Sequence, residues 1–296
     1  MVATIVNYCS NDYRFLESCL REARKFSKEI IVPVCDHFFD GGVENRLLLE
    51  HSYANHPDVR FIEFAFGKEP YGLYASVKEG DPDWIHYWHR TARYVGYHFV
   101  SREIEKVLFL DVDEVAEGDK MKYWLETFPH HEFDAVRFTN YFYFREAKFQ
   151  ATKIMRNGLL VKKESLPAEL LLDVEERKGT FYNIQGERLE GAPALDGEPL
   201  FHHYSWVKTK GEMLRKVSSW GHHLEKDWPA LIEEEFSKPF QNKDSFWGFD
   251  YREVVPFVNP LSVTLPTQPI QNSFFNVTKI DRRELQRMQI RSAMLN

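Results

Sequence analysis

Two carboxylates stand one residue apart at the end of an apolar run, in Glu105-Lys106-Val107-Leu108-Phe109-Leu110-Asp111-Val112-Asp113-Glu114. A run this short, rich in β-formers and bounded by charge, predicts a strand buried on both faces. Alternation along that strand sends Asp111 and Asp113 to one side and Val112 to the other. Like charges so close repel each other, and burying them unpaired is costly. A divalent cation relieves both problems, and hard oxygen ligands suit Mg²⁺, Mn²⁺ or Ca²⁺. In the plainer alternative one Asp caps the next helix and the other is solvated.

Leu200-Phe201-His202-His203-Tyr204-Ser205-Trp206-Val207 predicts a second strand, on which the two histidines face opposite ways. His202 shares its face with Leu200 and Tyr204, which reads as core, so His203 is the imidazole left to join Asp111 and Asp113 around a metal. Lys208 and Lys210 follow closely and are candidates to stabilise a charged leaving group. The alternative is a hydrogen-bonded core histidine and solvated lysines. A helix expected from Trp84 to Glu103 spaces His86 from Arg90, and His89 from Arg93, by one turn, so one face can present cations to phosphate. Arg90 is the candidate taken from that face. Trp84, Tyr87 and Trp88 read as packing, and His222 and His223 as surface.

The elements that must position these groups follow from periodicity. Val2 to Val6 is a short apolar run. Phe15, Leu16, Cys19, Leu20 and Ala23 then recur at helical spacing, and Glu29 to Val34 is a second strand. Strand, amphipathic helix and strand in 36 residues make a βαβ unit and hence a parallel sheet. A second helix near Leu47, a third strand from Val59 to Phe66, a loop from Gly67 to Pro82 and the long helix, which Asp83 would cap, lead to the acidic strand. In such sheets the ligand crevice lies at the carboxyl ends of the strands. Beyond it come a helix (Met121 to Phe128), a strand (Asp134 to Phe144), an irregular stretch from 150 to 200, the histidine strand, and helices from Thr209 to Leu224 and Pro229 to Phe236. No linker-like boundary interrupts the chain, so residues 1–296 read as one domain: a nucleotide-binding half (1–115), a second half (116–260), which the resemblance named below makes the acceptor side, and a C-terminal extension (261–296).

The 45 acidic residues against 38 basic give a net charge of −7, which argues against a general nucleic-acid binder. No apolar stretch is long enough to span a membrane and no signal peptide is evident. Three cysteines without metal spacing fit a reducing cytoplasm. The phosphate-binding Gly-x-x-x-x-Gly-Lys-Ser/Thr loop, Gly-x-Gly-x-x-Gly, Gly-x-Ser-x-Gly and His-Glu-x-x-His are all missing, which removes P-loop kinases, nicotinamide dehydrogenases, serine hydrolases and zinc proteases.

Asp111-Val112-Asp113 closing a strand, after a half that begins Val2-Ala3-Thr4-Ile5-Val6-Asn7-Tyr8, resembles the GT-A glycosyltransferases, especially family-2-like ones. The resemblance implies an α/β, Rossmann-like, mostly parallel central sheet with helices on both faces, mixed strands in the acceptor half and C-terminal helices. It implies that Mn²⁺ or Mg²⁺ on the Asp-x-Asp holds the diphosphate of a UDP- or GDP-linked sugar, which passes to an acceptor hydroxyl. It implies that Asn7, Tyr8 and Asp36 seat the nucleoside. His203-Tyr204-Ser205-Trp206-Val207-Lys208 is similar to the segment that supplies a late metal ligand and a phosphate-contacting lysine, here His203 and Lys208. No clean x-Glu-Asp element is found; of Glu190, Asp196 and Glu198, Asp196 is the candidate general base. Leu110 to Val115 also resembles the first motif of haloacid-dehalogenase-like phosphatases, although three strands precede it, and a non-catalytic nucleotide-sugar-binding module is the third reading. The tail from Lys279 to Asn296 predicts a basic amphipathic helix, either packed on the domain or docked to an anionic membrane surface.

Overall fold

Three apolar runs rich in Val, Ile and Phe build the first half of the sheet: β1 (Val2–Asn7), β2 (Glu29–Cys35) and β3 (Arg60–Phe64). The computed structural model describes residues 1–67, 81, 83–173, 176–271 and 275–294. The loop expected from Gly67 to Pro82 lies almost wholly outside them. Alternation splits each strand between two packed layers. Ile5 and Ile31 face one core with α3 (Trp84–His98), while Val6 and Val32 face α1 (Tyr13–Ala23) and α2 (Arg46–Asn55). The Asn45 side chain caps α2 by accepting from Leu48 N at 3.3 Å. Gly96 lets α3 lie close on the sheet, since a Cβ there would stand 2.6 Å from Ile5 Cγ2. Asp83 holds the N-cap position of α3 without a side-chain bond, and the helix stops at His98 rather than Glu103 because Val100 and Ile104 turn into the core.

β4 (Lys106–Asp111) pairs parallel with β1, giving the order β3-β2-β1-β4 of a Rossmann-like half. β4 ends at Asp111. Val112 and Asp113 form a turn into β5 (Glu114–Ala116), so the acidic pair straddles a strand end instead of sharing one strand. After α4 (Gly118–Thr127) comes the ten-residue β6 (Ala135–Phe144). The stretch expected to be irregular holds β7 (Glu146–Ala151), β8 (Met155–Lys162), α5 (Leu170–Asp173), α6 (Arg177–Asn183) and β9 (Arg188–Ala192). Asn157 and Gly158 break the strand signal of β8 in sequence, yet its ladders to β4 and β6 satisfy the backbone. β8 is antiparallel to β4 and joins the parallel half to the mixed strands.

β10 (Phe201–Trp206) inserts between β5 and β6, antiparallel to the first and parallel to the second. α7 (Lys210–Ser218) opens on a capping box of Thr209 and Glu212, and α8 (Trp228–Phe236) on Asp227, which accepts from Ala230 N. Beyond α8 come β11 (Tyr251–Glu253), a short 3-10 turn at Pro260–Ser262 and β12 (Val277–Ile280), which adds to β3 in parallel. α9 (Arg282–Met294) packs on the domain, with Leu285 fully buried and Gln289 donating to the Tyr87 hydroxyl at 3.4 Å. Among the described residues no helix is long and apolar enough to cross a membrane.

Candidate active site

A cleft of about 500 Å³ opens at the carboxyl ends of β1, β2 and β4, within the range of small-molecule sites, about 300–1,000 Å³. Asn7 and Tyr8 end β1 on its wall, His37 and Glu44 follow β2, and Asp111 and Asp113 follow β4. β10 contributes His203, and α7 contributes Lys216 from its last turn.

Asp111 is held by a cationic network. Arg177 Nη2 donates to its Oδ2 at 3.0 Å, while Asn7 Nδ2 and His89 Nε2 each stand 3.3 Å from Oδ1. Arg177 also donates to both oxygens of Glu114 and to the Phe109 carbonyl, and Glu114 in turn accepts from Asp111 N. Burial pushes the Asp111 carboxyl up, but Arg177 and then His89 outweigh it and hold it well below the usual carboxylate range. Burial has the larger say at Glu114, which is raised despite Arg177.

Asp113 has different company. The β5–β10 register sets His203 opposite Glu114, and Tyr204 N donates to the Asp113 carbonyl at 2.8 Å. His203 Nε2 therefore faces Asp113 Oδ1 at 3.5 Å, and Lys216 Nζ lies 3.8 Å from Oδ2. Burial opposes ionisation of Asp113, yet His203 and Lys216 keep it below its ordinary value.

Asp113 Oδ1 and His203 Nδ1 are both buried without a hydrogen-bond partner. Two neighbouring ligands about 2.1 Å from one small hard cation stand roughly 3.0–3.4 Å apart, slightly closer than the 3.5 Å between Asp113 Oδ1 and His203 Nε2, so a small approach of the two side chains would let them share such an ion. Asp111 does not complete the set, since its oxygens already serve Arg177, Asn7 and His89. Among the described residues no three His, Cys, Asp or Glu side chains gather as a metal site, so Asp111, Asp113 and His203 do not form the expected trio.

Other expected residues fall elsewhere. Arg90 is absent from the cleft lining and donates to the His86 carbonyl, while His86, His89 and Arg93 form the face of α3 that lines it. The helical register, which sequence leaves free to rotate, decides between them. Lys208 is buried behind the cleft, ion-paired to Asp12 and 4.6 Å above the Phe15 ring. Asp36 ties two strand ends together by accepting from Phe66 N at 2.7 Å, and its neighbour His37 lines the cleft. The Tyr8 hydroxyl turns away to Ser52 at 2.7 Å. Asp196 lies outside the cleft lining, in a turn where it accepts from Glu198 N and meets Lys120 at 3.4 Å. Its turn, with Gly197 at φ +86°, faces solvent.

Arg177, Lys216 and Glu44 were not anticipated. Burial raises Glu44 to about 7, even though Ser10 donates to it from both backbone and hydroxyl. His222 was expected at the surface but lines the mouth of the cleft. Its Nε2 stands 3.0 Å from Glu176 and its Nδ1 2.5 Å from Glu225. Gly221 permits this, since a Cβ there would fall 2.2 Å from the His86 ring.

No protein-family model matches the sequence. No curated protein matches it either. Similar solved structures include the glycosyltransferase GlyE of Streptococcus pneumoniae TIGR4, at 15% identity over 79% of this chain and 63% of that one, TM-score 0.39. Residues 1–349 of S. aureus TarS in complex with UDP-GlcNAc give 12% identity over 80% and 71%, TM-score 0.41. The 4-diphosphocytidyl-2C-methyl-D-erythritol synthase of Anaerococcus prevotii DSM 20548 gives 7% over 76% and 96%, TM-score 0.40. This chain thus spans under two thirds of the GlyE structure. Likeness at this level says nothing of activity, which has to come from the chemistry of the cleft.

Proposed function

We propose that this chain is a glycosyltransferase that moves a sugar from a nucleotide-diphosphate sugar to an acceptor hydroxyl, with a divalent cation held by Asp113 and His203. The observation that carries this is Asp113 Oδ1, buried without a hydrogen bond and facing His203 Nε2 at 3.5 Å, beside Lys216, in a cleft at the carboxyl ends of parallel strands. When bound, Mn²⁺ or Mg²⁺ would supply Lewis-acid stabilisation to a leaving diphosphate.

The chain's own groups do the remaining work. Lys216 and Arg93 bring fixed positive charge to the phosphate side of the cleft, where a nucleoside diphosphate develops charge as it departs. Asn7 offers an amide at the nucleoside end. Glu44, raised to about 7, carries a proton on a large fraction of molecules at neutral pH and can donate to a base edge. Arg177 positions Asp111 rather than substrate, because its donors are spent on Asp111, Glu114 and Phe109. A general base needs a pKa near the working pH. Glu176 is held down to about 2 by His222 and is poorly suited to that role. A cytoplasmic setting accords with nucleotide-sugar chemistry and three free thiols. The exposed Arg283 and Arg287 of α9 would supply contact with an anionic membrane surface.

A phosphatase reading needs Asp111 as a nucleophile, but its oxygens are engaged by Arg177, Asn7 and His89. The deciding experiment is a screen of nucleotide-sugar turnover with Mn²⁺. Release of nucleoside diphosphate that falls away in Asp113→Asn is expected. Phosphomonoester hydrolysis without nucleotide-sugar turnover would replace this reading with the phosphatase, and nucleotide binding without turnover with the binding module.

A further inference from the structure

The acceptor side of the cleft has a wall of aromatic rings whose mounting is more elaborate than packing requires. The loop between α8 and β11 winds around one buried carboxylate. Asp244 Oδ1 accepts from the backbone N–H groups of Phe246, Trp247 and Gly248 at 2.8, 2.5 and 3.2 Å. Its Oδ2 accepts from Phe249 N and the Tyr251 hydroxyl, both at 3.0 Å. Gly248 sits at φ +69°, a conformation that favours glycine. A carboxylate can be buried only when its lone pairs are met, and five donors meet them here. The result is a rigid loop that presents Trp247 and Phe249 to the cleft.

These two rings lie 26° from parallel with centroids 6.0 Å apart. Phe142 stands edge-on to both, at 5.8 and 6.3 Å, and edge-on to His203 at 5.7 Å. The wall therefore runs without a break from the His203–Asp113 pair outward, on the side of the cleft away from β2. Asn157 of β8 lines the same cleft, and its side-chain oxygen is buried with no hydrogen-bond partner. Half-buried rings and an orphaned amide oxygen in one cavity ask for a ligand with an apolar face and a rim of donors. A pyranose ring has that form, with axial C–H bonds on its face and hydroxyls around its edge. A nucleobase would fit flat rings too, but the donor reading above seats the nucleoside by Asn7 and Glu44, at the ends of β1 and β2.

We propose that Trp247, Phe249 and Asn157 form a subsite for a pyranose ring, so that the acceptor is a carbohydrate. This rests on the glycosyltransferase reading above. In it, the acceptor sugar stacks on the Trp247–Phe249 wall, gives a hydroxyl hydrogen bond to Asn157 and points another hydroxyl toward the Asp113–His203 end.

Saturation-transfer NMR tests this on the full chain with Mn²⁺ and UDP or GDP, using cellobiose, maltose, lactose and N,N′-diacetylchitobiose as probes. Saturation of ring protons is expected for at least one disaccharide. Its affinity should fall by about tenfold or more in Trp247→Ala and in Asn157→Leu, and hold within a few-fold in Trp247→Phe. Nucleotide affinity in the same samples reports whether each variant is folded. Should Trp247→Ala unfold, Asn157→Leu decides. Nucleotide binding with no transfer to any of the four sugars, or transfer that survives both substitutions, overturns the carbohydrate subsite and leaves the donor reading standing. Failure of UDP and GDP to bind under any condition overturns the donor reading, and the subsite with it.

Discussion

His203 Nε2 faces Asp113 Oδ1 at 3.5 Å, while the adjacent His202 bonds the Tyr143 hydroxyl at 2.7 Å and Glu117 at 3.1 Å on the other side of β10. One strand thus separates a cleft imidazole from a structural one. His203→Ala and Asp113→Asn should each weaken Mn²⁺-dependent nucleotide binding by at least about tenfold, a lost ligand exceeding the usual cost of an outer-shell change. His202→Ala should cost roughly 1–3 kcal/mol of stability by stranding buried polar groups. Calorimetric titration beside urea melts separates the two. A metal response confined to the His202 variant would contradict the assignment.

Arg177 is the hinge of the acidic network, and its loss leaves Glu114, 1% exposed, without its cation. Breaking a buried ion pair from one side typically costs about 3–5 kcal/mol, and Arg177→Met should lose that much. Arg177→Lys should recover little, because one ammonium cannot reach Asp111 and both Glu114 oxygens with the geometry of a guanidinium. Equilibrium unfolding of both variants measures this, and near-wild-type stability of Arg177→Met would show that the network is not holding the β4–β5 turn.

The parallel half was legible because its signals are local: apolar runs for β1, β2 and β4, and helical spacing of Phe15, Leu16, Cys19 and Leu20 for α1. That His203 lines the cleft was legible because a strand has a period of two and Leu200 and Tyr204, which share the opposite face with His202, read as core. The turn at Val112–Asp113 was not, since the three-residue β5 carries too short a pattern to distinguish from more β4. Arg90 and Arg93 show a related limit: spacing says which residues share a face, but only the packing of α3 on the sheet says which face meets the cleft. Arg177 left no local trace. Its partners Asp111 and Glu114 are more than sixty residues away, in a pairing that exists only once β4 and α6 are assembled.

The tail offers a contrast between two neighbouring side chains. Leu285 is fully buried and Arg287 is exposed. Leu285→Ala should cost about 2–5 kcal/mol, as buried leucines do, and Arg287→Ala within roughly 0.5 kcal/mol of nothing. Chemical denaturation of the pair checks the docking of α9, and equal, small effects would mean that the helix is not part of the folded unit.

His222 should make stability depend on alkaline pH. Glu176 chiefly, and Glu225 next, raise its imidazole to about 9 against the penalty of burial, and the His86 and Trp220 rings pack edge-on against it at 5.3 and 4.8 Å. A histidine whose folded pKa lies above its unfolded value of about 6.5 is stabilising in its protonated form. That contribution is fully present below about pH 6.5 and is lost as pH rises through 9. Glu176, lowered to about 2 by the same imidazolium, contributes above the ordinary glutamate range and loses its share only in strong acid. The clasp is therefore strongest from about pH 5 to 6.5, and His222→Gln should remove it. Melting temperatures of wild type and His222→Gln, measured from pH 6 to 10, should lie furthest apart at the acid end and converge as pH passes 9. A gap that stays constant across that range would show that His222 holds the mouth of the cleft by packing and neutral hydrogen bonds rather than by charge.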